Sequence, residues 1–343
     1  MIEIKLDHIQ DVFRYYEINK GIEAFKVLSD VQEWRGDKAA IRMIIQVNLD
    51  DGSRMIVKFL NERSFIIDVS KLTISTEIIE QQSKFSEMLR ENGMIVPRKY
   101  DKNGKYCMPY VLSGIEVDVT VEDYLGETIE EFRPKMFKIY GELIGRMHQI
   151  SLTKDSHINF RIVYNEVKEN RTDFMKLFIG TDVSKLPKKI MEEIIQKHND
   201  KKDKILQIWP YLPKSSVQGD IYSCNNVAMT ENGIGFYDFN IAADEVLLGD
   251  MLHVWFRTIY DTSNEKQIKE WDLEECFKDY MEGYQLERSW TEIEKKHFSE
   301  VYSLLGSIYA GRYVAELMRN DRYKDAIVYL DDILRLLNTD ISI

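Results

Sequence analysis

Three side chains in this sequence have the types and the spacing for phosphoryl chemistry. Asp220 precedes Asn225 by five residues, and Asp238 follows Asn225 by thirteen. They lie in Val217-Gln218-Gly219-Asp220-Ile221-Tyr222-Ser223-Cys224-Asn225 and Gly235-Phe236-Tyr237-Asp238-Phe239-Asn240. Moving a phosphoryl group onto a hydroxyl needs one carboxylate to orient that hydroxyl. It also needs an amide oxygen and a second carboxylate to hold magnesium. Asp220 is the candidate for the first task, and Asn225 and Asp238 are the candidates for the second.

The elements that must position these groups can be read around them. Asn226 to Met229 is short and partly apolar, Glu231-Asn232-Gly233 supplies a turn, and Ile234 to Phe239 is apolar and aromatic. Asn-Gly between two such runs is a strong hairpin signal. The hairpin returns Asp238 towards the loop that carries Asp220 and Asn225. Asp and Asn are also ordinary turn formers. The hairpin and the following Phe239 are what lift the trio above that reading. Cys224, inside the loop, reads as a spacer, because no His lies nearby to activate it.

The segment from Gln218 to Val254 resembles the aminoglycoside phosphotransferase and choline kinase family, the small-molecule branch of the protein-kinase-like fold. That family reads His-Gly-Asp, five residues to Asn, thirteen to Asp-Phe, then Asp-Leu-Ala opening a helix. Gly249-Asp250-Met251-Leu252 stands at the last position. Gln218 departs from the usual His, and Asn240 from the usual Gly or Asp. The resemblance implies an α+β, two-lobed fold. Residues 1–125 form a small, mainly antiparallel β lobe with one helix that binds nucleotide, and residues 126–343 form a larger helical lobe for catalysis and substrate.

The small lobe reads as strands. Ala39–Leu49 and Met55–Leu60 flank the turn Asp50-Asp51-Gly52-Ser53. Lys58 lies in the second of these strands, where kinases carry a lysine that contacts nucleotide phosphates. A helix runs from about Ser75 to Asn92 and stops near Gly93, with Ile78, Phe85 and Leu89 on its buried face. A kinase places a Glu on this helix to hold the strand lysine. Glu77, Glu80 and a neutral contact to Gln82 are the open choices, while Glu80 and Glu87 share a face with Lys84 and Glu91 that reads as solvent-facing. No Gly-rich loop joins the first strands, where Glu33-Trp34-Arg35-Gly36-Asp37 is the only candidate turn, and this speaks against a protein kinase. Two strands flank Ser113-Gly114. Thr120 to Gly126 resembles the family's last strand and hinge, so the backbone around Glu122 and Tyr124 is implied to bind the base of the nucleotide.

Beyond Gly126 the pattern is helical. Met136, Tyr140, Leu143, Ile144 and Met147 recur at helical spacing. His148 reads as a hydrogen-bonded structural residue, and Lys197 to Lys204 as a solvated helix end or loop. Asp250 reads as the N-cap of an apolar helix. Trp255, Phe256 and Tyr260 read as core, or as the wall of a quaternary-ammonium site. Three amphipathic helices fill 265–338, anchored by Trp271, Phe277 and Tyr280, by Leu304, Ile308 and Tyr309, and by Ile327, Leu330 and Leu334.

A net charge of −12 argues against a nucleic-acid partner. No segment has the ~20 uncharged apolar residues of a membrane span. The N-terminus lacks the pattern of a signal peptide, and Cys107, Cys224 and Cys276 lie far apart, so a reducing cytoplasm is expected. Residues 238 to 287 hold 13 acidic side chains against 4 Lys or Arg, which suits a cationic acceptor or a solvated surface. The expected function is transfer of the γ-phosphate of ATP or GTP, with Mg2+, to a hydroxyl of a small cationic acceptor, as in aminoglycoside phosphotransferases. The alternatives are a choline, ethanolamine or homoserine kinase-like enzyme, or a catalytically silent kinase-like binding protein.

Overall fold

Alternating apolar residues between Ile41 and Phe59 and between Val117 and Val121 build the sheet of this chain. The computed structural model describes residues 2–35, 38–61, 74–160, 173–261 and 268–341. By contacts the chain divides into two units. The first comprises Met1–Ile129, Ile158–Val163 and Asn226–Ala243, and the second comprises Glu130–His157, Tyr164–Asn225 and Asp244–Ile343.

The first unit opens with helix α1 (Leu6–Tyr15), which buries Ile9, Val12 and Phe13. Five antiparallel strands follow: β1 (Ile22–Arg35), β2 (Lys38–Leu49), β3 (Arg54–Leu60), β4 (Met108–Leu112) and β5 (Ile115–Asp123), in the order β1-β2-β3-β5-β4. The period of two sends Ile41, Met43, Ile45 and Val47 of β2, Val57 and Phe59 of β3, and Val119 and Val121 of β5 into one core with α1. Tyr16 closes that core by donating to the carbonyls of Tyr106 (2.6 Å) and Val119 (2.8 Å). The β4–β5 turn holds Ser113 (φ 51°) and Gly114 (φ 84°), two successive left-handed residues that suit a tight hairpin.

Helix α2 (Thr76–Glu91) is capped by the Ser75 side chain and followed by Gly93 at φ 85°. Its buried apolar residues are Ile79, Phe85 and Leu89 rather than Ile78. Glu80 and Glu87 are buried too, not solvent-facing. Glu80 accepts the backbone N–H groups of Tyr106 (3.1 Å) and Cys107 (2.8 Å), and Glu87 accepts that of Lys99 (2.5 Å). Buried carboxylates are tolerated when such donors satisfy them. The turn proposed at Gly36-Asp37 lies outside the described residues.

Short strands β6 (Glu127–Thr128), β8 (Val227–Thr230) and β9 (Gly233–Phe236) complete this unit, with β8 between the others. Thr230 pairs with Gly233, so Glu231-Asn232 is the two-residue turn. β9 ends at Phe236, short of the expected Phe239, and Asp238 then adopts a left-handed φ of 57°.

The second unit is helical: α3 (Met136–Thr153), α4 (Lys188–Ile208), α5 (Leu247–Ile259), α6 (Leu273–Glu287), α7 (Glu292–Arg319) and α8 (Tyr323–Asn338), with strands β7 (Lys214–Val217) and β10 (Ala243–Val246) paired. Lys197–Lys204 lies inside α4, not at its end. On α8 the buried residues are Ala326, Leu330, Ile333, Leu336 and Leu337, while Ile327 is exposed. Helices α3 and α6 meet backbone to backbone at glycines. A Cβ on Gly141 would sit 2.1 Å from the Tyr280 carbonyl oxygen, and one on Gly283 would sit 2.1 Å from that of Lys138. Trp255 packs against Phe137, Phe277 and Tyr280 and is buried, as is Phe256, so this aromatic group is core.

Candidate active site

In the first unit, strand pairing alone places Lys58 beside Glu122. Lys58 of β3 faces Thr120 of β5, and Ile56 faces Glu122, so the lysine and the glutamate lie two ladder steps apart on one face. Lys58 Nζ is 2.9 Å from Glu122 Oε1, and both side chains are almost fully buried. Lys58 also donates to Asp238 Oδ1 at 3.1 Å. Neither Glu77, Glu80 nor Gln82 is its partner; the ion pair comes from the neighbouring strand instead of α2.

Sequence reasoning missed Lys99. It follows Pro97 and Arg98 and forms a backbone bridge with Glu122, while Tyr100 donates to the Val121 carbonyl and Asp123 to that of Arg98. The Lys99 ammonium pairs with Glu122 Oε2. Burial, followed by the nearby Lys58, pushes the Lys99 pKa well below the usual lysine range, against the pull of Asp238 and Glu87. In the sequence Lys99 is one of several charged residues after Ile95-Val96-Pro97, next to Arg98 and near Asp101 and Lys102, and nothing local singles it out.

Helix α2 fixes the segment after the hairpin. Gln82 donates to the carbonyls of Asn240 (2.8 Å) and Ala242 (3.0 Å), and the rings of Phe85 and Phe239 meet edge to face at 5.9 Å. Tyr237 donates its N–H to the Asn226 carbonyl (3.0 Å) and bonds Thr128 through its hydroxyl (2.8 Å). Asp238 is thereby held in its left-handed turn with one third of its side chain exposed. Burial opposes ionisation of this carboxyl. The Lys58 charge and hydrogen bond, aided by Lys99 and Arg42, outweigh it and hold the pKa below the usual carboxylate range. Tyr124 donates its N–H to the Arg54 carbonyl, and the Arg54 guanidinium lies 4.0 Å above its ring.

In the second unit, the loop after β7 is organised around its own side chains. Gly219 takes a φ of 83°. Buried Gln218 accepts the Asp220 N–H at 2.7 Å, so this neutral side chain braces the loop. Asn225 donates Nδ2 to the Asp220 carbonyl at 2.8 Å, and its N–H to that of Tyr222 at 2.7 Å. With its amide nitrogen committed in this way, Asn225 presents Oδ1 as an acceptor. Ser223 (φ 46°) donates to Thr258 Oγ1 at 2.8 Å and accepts from the Tyr140 hydroxyl. Arg257 stacks on Tyr222, 4.6 Å from the ring centre. Burial raises the Cys224 pKa, which keeps it a thiol and suits a spacer.

Asp250 is not an N-cap. It lies inside α5, which begins at Leu247 after Val246, and its carboxylate bonds His148 Nε2 at 3.0 Å. The other His148 nitrogen bonds the Tyr284 hydroxyl at 2.8 Å. Burial lowers the His148 pKa despite Asp250, so this histidine is a buried, bonded, structural residue.

No cluster of three or more His, Cys, Asp or Glu side chains capable of holding a metal occurs among the described residues. Magnesium seldom needs one, because it keeps waters and takes one or two protein oxygens plus phosphate. The ionised Asp238 carboxylate and the Asn225 amide oxygen are of the type it takes.

No family model and no curated protein matches this chain. Solved structures do. Amicoumacin kinase hAmiN, in complex with AMP-PNP, Ca2+ and Ami, superposes with a TM-score of 0.59 at 14% identity over 98% of each chain. The chain has the protein-kinase-like fold of the small-molecule kinases. A microcompartment-associated aminopropanol kinase matches with a TM-score of 0.59 at 12% identity, over 97% of this chain and 96% of that one. An aminoglycoside phosphotransferase from Alicyclobacillus acidocaldarius matches with a TM-score of 0.59 at 12% identity, over 96% and 92%. The α+β reading of the sequence, with an antiparallel sheet first and helices after, agrees with this fold. No helix among the described residues is long and apolar enough to cross a membrane.

Proposed function

We propose that this chain is a small-molecule kinase that moves the γ-phosphoryl group of ATP or GTP to a hydroxyl of a small cationic acceptor. The observation that carries this reading is the 3.1 Å contact between Lys58 and Asp238, residues 180 positions apart in the sequence. Lys58 already has a carboxylate in Glu122, and phosphoryl transfer needs both a strand lysine and a post-hairpin acid.

The roles follow from the chemistry of each group. Lys58 neutralises phosphate charge, with Glu122 holding its ammonium. The strand end from Glu122 to Tyr124 takes the base of the nucleotide. Asn225 and Asp238 hold Mg2+, which when bound shields the phosphate oxygens and compensates their developing charge. Asp220 orients the acceptor hydroxyl and accepts its proton as the acceptor O–P bond forms and the bond from the γ-phosphorus to the β–γ bridging oxygen breaks, releasing nucleoside diphosphate. The reading requires Asn225 and Asp238 to share one ion. Little covalent chemistry is left to the protein, and positioning supplies most of the rate.

The acidic stretch from 238 to 287, with 13 acidic side chains against 4 Lys or Arg, supports a cationic acceptor. Asp261 and Glu131 both act electrostatically on Cys224, within the loop of Asp220 and Asn225. Aminopropanol and aminoglycosides, which the neighbours are named for, carry an amine beside a hydroxyl. The test is a coupled assay of nucleoside-diphosphate release over amino alcohols, aminoglycosides, amino acids and sugars. Magnesium-dependent release with an amine-bearing alcohol is expected. If no acceptor gives release and Mg–nucleotide gives no thermal stabilisation, the protein is a silent kinase-like binding protein.

A further inference from the structure

The buried cluster around Glu122 contains one cation more than the proposed chemistry uses. We propose that Lys99 is a positioning residue for Lys58: by occupying one oxygen of Glu122, it lets that carboxylate hold Lys58 without capturing it. This inference rests on the phosphotransferase reading above. Lys99 takes Glu122 Oε2 while Lys58 takes Oε1, and the three side chains are 3–5% exposed. Lys99 cannot move far, because its backbone is tied to Glu87 on one side and to the end of β5 on the other. Its ammonium is delivered to a fixed place.

The consequence is electrostatic. Lys58 and Lys99 divide Glu122 between them, Asp238 reaches Lys58 from the other side, and Glu87 and Arg42 lie close enough to act on the same cluster. A buried carboxylate facing a single ammonium holds it as a full ion pair, strengthened by low dielectric. A polyphosphate would then have to compete for Lys58 against Glu122 and Asp238 together. Sharing Glu122 between two ammonium groups weakens its hold on each and leaves Lys58 able to turn towards phosphate.

The experiment is a calorimetric titration of Mg–ATP into the full chain as wild type, Lys99→Met, Glu122→Gln and the double variant, with thermal unfolding followed in parallel. Lys99→Met keeps most of the stem and removes the charge, and should weaken Mg–ATP binding by ~10-fold or more. Adding Glu122→Gln frees Lys58 again, so the double variant should bind within ~5-fold of wild type and tighter than Lys99→Met. A Lys99 that merely packs would give additive losses. Unchanged binding in Lys99→Met, or a double variant no tighter than Lys99→Met, overturns the proposal. If Lys99→Met does not fold, the double variant decides alone: binding within ~5-fold of wild type supports the proposal, and weaker binding overturns it. A wild-type chain that binds no Mg–ATP defeats the phosphotransferase reading and this inference together. Normal wild-type binding with an indifferent Lys99→Met defeats this inference only.

Discussion

Replacing Asp238 by Asn separates the two tasks assigned to that residue, because the shape is kept while the charge is lost. Without nucleotide, the aspartate neutralises Lys58 at 3.1 Å. At an effective dielectric constant near 20, the bare attraction at that distance is about 5 kcal/mol. Most of it is offset by desolvation, and one third of the Asp238 side chain faces solvent, which screens it further. Lys58 still shares Glu122 with Lys99, so each of the two buried ammonium groups keeps a carboxylate contact. The net loss of stability should therefore be about 2 kcal/mol, well below the ~3–5 kcal/mol of an orphaned buried charge. For a chain of this size that is a fall in Tm of ~3 °C. Because the Asp238 pKa is held low, this contribution is present above the ordinary carboxylate pKa and lost as the pH falls through the folded value.

The second task is metal binding, and there the loss should be complete. Mg–ATP at a hundred times its Kd stabilises the folded chain by about 2.7 kcal/mol. Thermal unfolding of wild type and Asp238→Asn, with ATP alone and with Mg–ATP, reads both effects. The magnesium-dependent part of the shift should vanish in the variant. A variant with an intact magnesium-dependent shift would refute the assignment of Asp238. A fall of more than ~10 °C without ligand would show that the pair holds the fold rather than serving the nucleotide.

Two further predictions concern the framework. Gly141→Ala places a methyl group against the Tyr280 carbonyl and the Tyr284 amide, forcing α3 and α6 apart, so urea unfolding should show a loss of about 3 kcal/mol. His253 is buried with its pKa lowered to about 4, first by desolvation, so the unfolded chain binds its proton before the folded chain does. Stability should then fall as the pH drops below ~6.5, by about 2 kcal/mol between pH 7 and pH 5, and His253→Gln should flatten that slope.

What could be read from the sequence was local. The hairpin around Glu231-Asn232, the capped helix from Ser75 to Asn92, the strand with Lys58 and the loop from Gln218 to Asn225 each carry their signal within a few residues. What could not be read depends on partners distant in the chain. Glu80 and Glu87 look like an exposed helical face until backbone N–H groups from 99 to 107 are brought against them. Asp250 looks like a cap until His148, 102 residues away, is found beneath it. Lys58 takes its acid from β5, because ladder register places Glu122 beside it, and no periodicity of α2 announces that. Helix α1 and the long strand β1 went unnoticed, since their polar residues mask short apolar stripes.

Single-turnover phosphoryl transfer by Asp220→Asn, set beside its Mg–ATP affinity, separates the role of Asp220 from nucleotide binding. The acceptor-orienting role predicts that transfer slows by at least ~100-fold while affinity stays within ~3-fold of wild type, because the Asn225 amide is held by the Asp220 backbone carbonyl, which the substitution keeps. Undiminished transfer with weakened nucleotide binding would contradict it.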